Sequence, residues 1–263
     1  MNHIEHNRNS WNKLTSLHVG SDFYDVTGFK NGKPSLNSIE LEEIGEVKGK
    51  KLLHLQCHFG MDSLSFARLG AEVTGVDLSD ESIKVAKELA TELELPAKFI
   101  RSNVYEIEQV LDEKFDIIFT SYGALNWLND LDKWAEIIHH HLKPGGVFYM
   151  VEFHPFIYTL NEELQIGENY FKTKPIETVV EESYTDNSLV SNKGLKHVEW
   201  HHSLSEILNS LIKNGLQIEH FNEFPYQVYN CFKNMTEIEK GKWVFEKYKD
   251  QIPYMYSVRA IKK

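Results

Sequence analysis

The chain reads as an α/β protein: a doubly wound, mostly parallel sheet of seven strands with a β-rich cap inserted late. Three observations carry this reading. Short apolar runs alternate with amphipathic stretches from residue 51 to residue 152. One run is continuously apolar at Ile117, Ile118 and Phe119, as a strand covered by helices on both faces must be. The alternation then breaks over 153–200, where aromatics mix with Thr, Val and Glu without a helical stripe, and resumes at Ser203.

The elements follow in order. In the polar and aromatic segment 1–36, Trp11, Leu14, Leu17 and His18 share one side of a short helix, while Gly20, Gly28, Gly32 and Pro34 make the remainder irregular. Asn37 caps a helix reaching Ile44, with Glu40 three residues on and Leu41 and Ile44 turned inward. The first strand spans 51–56, and a helix over 61–69 is closed by Gly70. The second strand, 72–77, ends in Asp77. Ser79 caps a helix over 80–93, with Asp80 and Glu81 suiting the first turn and Ile83, Ala86, Ala90 and Leu93 forming its stripe. Strands at 98–101 and 115–120 precede a helix at 131–142, which the turn Lys143-Pro144-Gly145-Gly146 stops before a strand at 147–152. Ser203 and Glu206 make a capping box for a helix ended by Gly215. Strands at 217–221 and 254–261 complete the sheet.

Four parts result: an N-terminal segment, 1–36; a nucleotide-binding core, 37–152; an inserted cap, 153–200; and residues 201–263, which return to the core with a second loop insertion near 224–250. With 41% hydrophobic and 25% charged residues the composition is that of a soluble globular protein. Lys plus Arg number 28 against 39 Asp plus Glu, and the net charge of −11 repels phosphate backbones, so no nucleic acid partner is expected. Two cysteines, Cys57 and Cys231, build neither a disulfide framework nor a thiolate zinc site. The polar start MNHIEHNRNSWNK is no signal peptide, and no apolar run nears the ~20 residues a membrane span needs, so a cytoplasmic protein is expected. The triplet His139–His141 has consecutive spacing on a helix end, and His197, His201 and His202 precede a helix cap, so no metal is expected from either.

Strand, turn, helix, strand and acid over 51–77 form the first half of a nucleotide-binding βαβ unit. Ligands bind such sheets beyond the carboxyl ends of the strands, which directs attention to the residues after each strand. Asp77, at a strand tip, is placed to accept hydrogen bonds from a ribose diol. After the third strand, Asn103 can accept through its side-chain carbonyl or simply form an Asx turn. After the fifth, Glu152 and His154 share one side; either can serve as a general base, or the two form a solvated rim pair.

The string HLQCHFG, residues 54–60, resembles motif I of the class I (Rossmann-like) S-adenosylmethionine-dependent methyltransferases, in which an acid is followed by G-x-G-x-G. Together with VTGVDLS, EWHHSLSEILNSLIKNGLQIEHFNEFP and PYMYSVRA it resembles a bacterial subgroup of small-molecule methyltransferases. The motif departs from the family pattern: His54 stands at the acidic position, Gln56 and His58 stand at two glycine positions, and Gly60 alone remains. The resemblance implies S-adenosylmethionine as cofactor, S-adenosylhomocysteine as product, and an antiparallel last strand. It implies Gln56, Cys57, His58 and Gly60 along the methionine end, Asp77 on the ribose hydroxyls and Leu78 against adenine. Ser102, Asn103 and Val104 then surround the adenine, and Thr120 and Ser121 meet the methionine moiety. Tyr122 and Trp127 form a wall of the substrate pocket, or Trp127 simply fills the core. Trp11, His18, Phe23 and Tyr24 resemble a segment that folds over the cofactor as a lid.

The implied reaction is in-line methyl transfer to a small-molecule acceptor, with Tyr24, Tyr122 and His154 as catalytic candidates. Aromatics in the two insertions, among them Phe153, Tyr158, Tyr184, Trp200 and Tyr229, point to an apolar or flat acceptor. A monomer or a homodimer paired through the insertion fits equally. Two other readings stay open: a non-catalytic protein binding a nucleoside or a partner on the same fold, and an NAD-dependent oxidoreductase, whose G-x-G-x-x-G the chain lacks.

Overall fold

The computed structural model describes residues 2–171, 174–179, 183, 185, 195–230 and 232–263; Tyr184 and Cys231 lie outside the described residues. In chain order the elements are α1 (His3–Gly20), α2 (Val26–Lys30), α3 (Ser38–Glu43), β1 (Lys51–Leu55), α4 (Met61–Arg68), β2 (Glu72–Asp77), α5 (Asp80–Glu92), β3 (Ala97–Arg101), β4 (Phe115–Thr120), α6 (Leu131–His141), β5 (Leu142–Phe153), β6 (Ile176–Val179), β7 (Lys196–Glu199), α7 (Leu204–Lys213), β8 (Leu216–Phe224), β9 (Met235–Glu239), β10 (Lys242–Phe245) and β11 (Met255–Lys262).

Seven strands form one sheet in the order β3-β2-β1-β4-β5-β11-β8. Only β11 runs antiparallel to its neighbours β5 and β8. The order reverses between β1 and β4, whose last residues Leu55 and Thr120 are paired. The chains leaving them diverge and open a crevice at that point.

Both faces of the sheet are buried, and strand alternation divides them. On one face Phe148 and Met150 pack with Trp134, Leu211 and Tyr256 beneath α6 and α7. On the other, Tyr149 and Val151 pack with Leu52, Phe66 and Phe119 beneath α3 and α4. A third cluster joins α4, α5 and the loop after β1 through Phe59, Leu64, Ile83 and Phe99.

Several local readings are corrected by packing. The N-terminal helix is a full 18 residues rather than a short one. In α3, Ile39 and Ile44 turn inward while Leu41 is 44% exposed. Asn37 precedes that helix but makes no side-chain cap bond; its Nδ2 donates to Glu40 instead. The Lys143–Gly146 turn does not delay β5, which starts at Leu142 and carries the turn as an irregularity in its register with β4. The capping box of Ser203 and Glu206 is present on α7. Within 153–200 the described residues include the antiparallel strand pair β6 and β7, and within 224–250 the hairpin β9–β10.

Phe99 fills space that two glycines leave. A Cβ at Gly75 would lie 2.7 Å from the Phe99 ring and 2.9 Å from Cys57 Sγ, and one at Gly60 would lie 2.8 Å from the same ring. Gly75→Ala is therefore expected to destabilise by about 1–3 kcal/mol through overpacking, read as a lower midpoint in urea unfolding; an unchanged midpoint would show that the ring yields without cost.

Candidate active site

A cavity of about 530 Å³ occupies the crevice at the carboxyl ends of β1, β2, β3 and β4. That lies within the roughly 300–1,000 Å³ typical of small-molecule sites. The loop after β1 forms its floor. Gln56, His58 and Gly60 all have left-handed backbones, with φ of 56°, 50° and 83°. Non-glycine residues in that region cost about 1–3 kcal/mol each, and local bonds hold them there. Gln56 Nε2 donates to Ala124 O at 2.7 Å, and His58 N donates to Asp77 Oδ2 at 2.8 Å. Cys57 N donates to Val76 O at 2.9 Å. The loop thus keeps backbone angles that glycine favours without two of its glycines, and the crevice stays open beside it.

Asp77 is the hinge of the site. Its Oδ1 accepts from Ser79 N at 2.8 Å and its Oδ2 from His58 N. A carboxylate has about four acceptor positions, so two backbone bonds leave capacity toward the cavity that the residue lines. Burial raises its pKa to about 6, against the pull of those amides.

His54 takes the place of the family's acid but does different work. Its Nδ1 meets Ser63 Oγ at 2.9 Å and its Nε2 meets Ser121 Oγ at 3.2 Å. Burial pushes its pKa down to about 3, so the ring is a neutral strut between α4 and the loop after β4.

The other site candidates divide. Gln56, Cys57, His58, Gly60, Asp77, Leu78, Ser102, Asn103, Val104, Ser121, Tyr122, Trp127 and Tyr24 all line the cavity. Asn103 Oδ1 accepts from Tyr105 N at 3.2 Å, the Asx-turn alternative. Thr120 is fully buried within β4 and lies off the lining. His154 also lies off it: its Nδ1 accepts from Phe156 N at 3.1 Å, and its Nε2 stands 3.1 Å from Glu223. Glu152 and His154 are buried rather than a solvated rim pair. The Glu152 carboxylate accepts from Gly123, Ala124, Leu125 and Phe153 N–H groups at 2.5–3.2 Å. It is the anchor of the loop after β4, and burial raises its pKa to about 7.

The N-terminal segment closes one side. Trp11 sets its ring 5.4 Å from His58 and 5.2 Å from Trp127, both edge-on. His18 Nδ1 lies 3.2 Å from His58 Nε2, so one ring donates and the other accepts; burial, then His18, hold the His58 pKa well below its usual value. Tyr24 stacks on His18 at 5.5 Å. Helix α1 is tied to α5 through Arg8–Asp80 at 2.7 Å and Thr15–Ser82 at 2.7 Å. On its other side Asn7 exchanges two 2.8 Å bonds with the backbone of Val198 in β7.

Residues that the sequence marked only as a helix cap, or not at all, also gather at the site. Asn37 Nδ2 lies 3.3 Å from Glu40 Oε1, 3.2 Å from Tyr229 Oη and 3.5 Å from Tyr122 Oη. Glu199 lines the cavity, and burial raises its pKa to about 7. Neither carries a local motif: Glu40 has the spacing of a helix-capping residue, and Glu199 reaches the cavity only through the placement of β7. Among the described residues no cluster of three or more His, Cys, Asp or Glu is arranged to hold a metal.

The residues fit S-adenosylmethionine. A half-buried carboxylate with spare acceptor capacity ends β2, and one continuous cavity links it to the loop after β1 and to Tyr122.

Comparison with known proteins agrees. Residues 53–150 match the family model described as Methyltransferase domain. The chain is 29% identical over 181 residues to a ubiquinone biosynthesis O-methyltransferase of Proteus mirabilis, covering 60% of this chain and 71% of that protein. It is 29% identical over 147 residues to the protein so named in Photorhabdus laumondii, covering 54% and 58%. Among solved structures it is similar to an S-adenosylmethionine dependent methyltransferase from Mesorhizobium loti, with TM-score 0.57 and 22% identity over 89% of this chain and all of that one. It is also similar to geranyl diphosphate C-methyltransferase from Streptomyces coelicolor, solved with Mg²⁺, geranyl diphosphate and S-adenosylhomocysteine, with TM-score 0.62 and 15% identity over 100% and 98%. The fold is that of the class I methyltransferases. Residues 53–150 carry a methyltransferase domain on that fold.

The His54 strut has a pH signature. Its folded pKa of about 3 lies below the unfolded value near 6.5, so on acidification the unfolded chain binds a proton the native state refuses. Its stabilising contribution is intact above about pH 6.5 and is lost progressively as pH falls toward 3. In His54→Gln, urea midpoints at pH 5 and 7.5 are expected to differ less than in the native chain. An equal difference would mean that His54 is not neutral in the folded state.

Proposed function

We propose that the protein transfers the methyl group of S-adenosylmethionine to an oxygen of a small molecule, as a cytoplasmic enzyme of the bacterial subgroup whose motif I reads HLQCHFG. One observation carries this reading: the Asp77 carboxylate, the left-handed loop and an aromatic chamber beyond Tyr122 share one cavity. The names of the curated relatives support oxygen as the accepting atom.

The bound cofactor supplies an electrophilic methyl group on a sulfonium. The chain's own residues do the rest by holding and enclosing. Asp77 would grip the ribose hydroxyls, Leu78 and Val104 would flank the base, and Gln56 to Gly60 with Ser121 would hold the methionine end. Tyr122 and Trp127 would present ring faces, which suit a sulfonium. Trp11 and Tyr24 in the lid segment would keep water out. Aligning acceptor, carbon and sulfur can supply on the order of 7–11 kcal/mol of the barrier, so a sparse catalytic apparatus is sufficient. The strand pairs β6–β7 and β9–β10 would cap the acceptor.

Titration calorimetry with S-adenosylhomocysteine tests the reading. The native chain is expected to bind it, and Asp77→Ala to weaken binding at least tenfold, since two hydrogen bonds to a charged acceptor are worth about 1.5–3 kcal/mol each. Binding of NAD in place of S-adenosylhomocysteine, or of neither, would overturn it.

A further inference from the structure

We propose that Asp62, on α4, takes the α-ammonium at the amino-acid end of the cofactor, and that Ser121, turned by His54, donates to the α-carboxylate. This rests on the methyl-transfer reading and extends it to the side chains that decide which cofactor derivatives the site accepts.

The methionine end is a zwitterion, so a site for it needs an anion on one side and hydrogen-bond donors on the other. The strand β1 offers no anion, because the neutral ring of His54 stands where the family pattern has an acid. The negative charge lies instead on α4. Asp62 sits two residues past Gly60, in the first turn of the helix, and lines the cavity. Its Oδ1 accepts from Ser35 Oγ at 2.6 Å. Its Oδ2 has no bond to the protein, and among the described residues no cation faces it; burial raises its pKa and Ser35 alone opposes the rise. A first-turn acid also suits the helix dipole. That role requires neither a place on the cavity wall nor an oxygen left open. An uncompensated carboxylate of this kind gains most from a ligand cation that brings the missing counter-charge and donates to it. Cys57, in the loop after β1, lies within the fields of both Asp77 and Asp62. The ribose and the ammonium would thus be held by different carboxylates, one from β2 and one from α4, around the same loop.

The polarity of Ser121 follows from a chain of three groups. Ser63 has no exposure, and its hydroxyl has one hydrogen-bond partner, His54 Nδ1 at 2.9 Å. Were the hydroxyl to accept there, its own hydrogen would be buried without a partner, which native interiors avoid. Ser63 therefore donates. A neutral imidazole that accepts at Nδ1 carries its hydrogen on Nε2, and that nitrogen donates to Ser121 Oγ at 3.2 Å. The hydrogen of Ser121 is then left for the cavity, which the residue lines. It meets an acceptor such as a carboxylate and turns away from an ammonium. Asp62 and Ser121 touch the ligand; His54, acting through Ser121, is a positioning residue.

The two grips are unequal. Among the described residues the one Lys or Arg on the lining is Lys33, which is paired with Asp25 at 2.8 Å. The carboxylate therefore meets neutral donors only, whereas the ammonium meets a full charge. Loss of the ammonium costs more than loss of the carboxylate.

The test is titration calorimetry on the full chain with four ligands. They are S-adenosylhomocysteine, its analogue without the α-ammonium, its analogue without the α-carboxylate, and 5′-deoxy-5′-methylthioadenosine, which lacks both. In the native chain the ammonium-free analogue is expected to bind at least tenfold more weakly than S-adenosylhomocysteine, and more weakly than the carboxylate-free one. Asp62→Asn, which keeps an oxygen for Ser35, is expected to lose at least tenfold toward the two ligands that carry the ammonium. It should stay within threefold of native toward the other two. Ser121→Ala and His54→Phe are expected to lose several-fold toward the two ligands that carry the carboxylate, and toward those alone. Methylthioadenosine affinity within threefold of native certifies that each variant folds. Should Asp62→Asn fail this, Asp62→Ser takes its place, and failure of both overturns the assignment by placing Asp62 in the fold; should His54→Phe fail it, Ser121→Ala decides. Unchanged affinities in Asp62→Asn or in Ser121→Ala, a Ser121→Ala loss that follows the ammonium, or equal native binding of S-adenosylhomocysteine and its ammonium-free analogue would each overturn the proposal. Failure of the native chain to bind S-adenosylhomocysteine would instead overturn the methyl-transfer reading beneath it.

Discussion

The hydrogen bond from the His58 amide to the Asp77 carboxylate is the constraint on which the site turns. It joins the ends of β1 and β2, and it holds His58 in a left-handed conformation that residues other than glycine seldom adopt. Gln56 is held likewise through Ala124, which belongs to the loop after β4. The crevice is therefore kept open by cross-links between strand ends rather than by the intrinsic freedom of glycine. Gly60 is the one position where no such substitution is available, because both φ and the Phe99 ring forbid a side chain.

The βαβ unit was legible because it is written in local terms. The periodicities of β1, α4, β2 and α5, the Ser79 cap and the acid at a strand tip all depend on residues within one element, and their ends agree with the structure to within a residue. The cavity-lining set after β1, β2 and β3 follows from the same logic. What was not legible depends on long-range contact. His154 has suitable chemistry and a suitable place after β5, yet the chain turns it toward Glu223. Glu152 is drawn into the amides of the loop after β4. Asn37, spaced as a helix cap, gives its amide to Glu40 and two tyrosines from distant segments.

Burial without counter-charge recurs around this crevice. Asp77, Glu152 and Glu199 all have pKa values lifted by desolvation, and His54, His58 and His197 have theirs lowered by it. The groups are arranged to be neutral or amide-solvated, so the low-dielectric interior is not spent on ion pairs. Such a lining strengthens any electrostatic contact made by a charged ligand within it.

Asn7 gives this design a mechanical corollary. Its carboxamide engages Val198 as a neighbouring peptide unit would, so a single side chain acts as a surrogate strand along the edge of β7. The helical cover and β7 are thereby latched to one another as well as to the body of the protein. Parting them at that seam severs two short bonds together, which makes this edge a poor doorway.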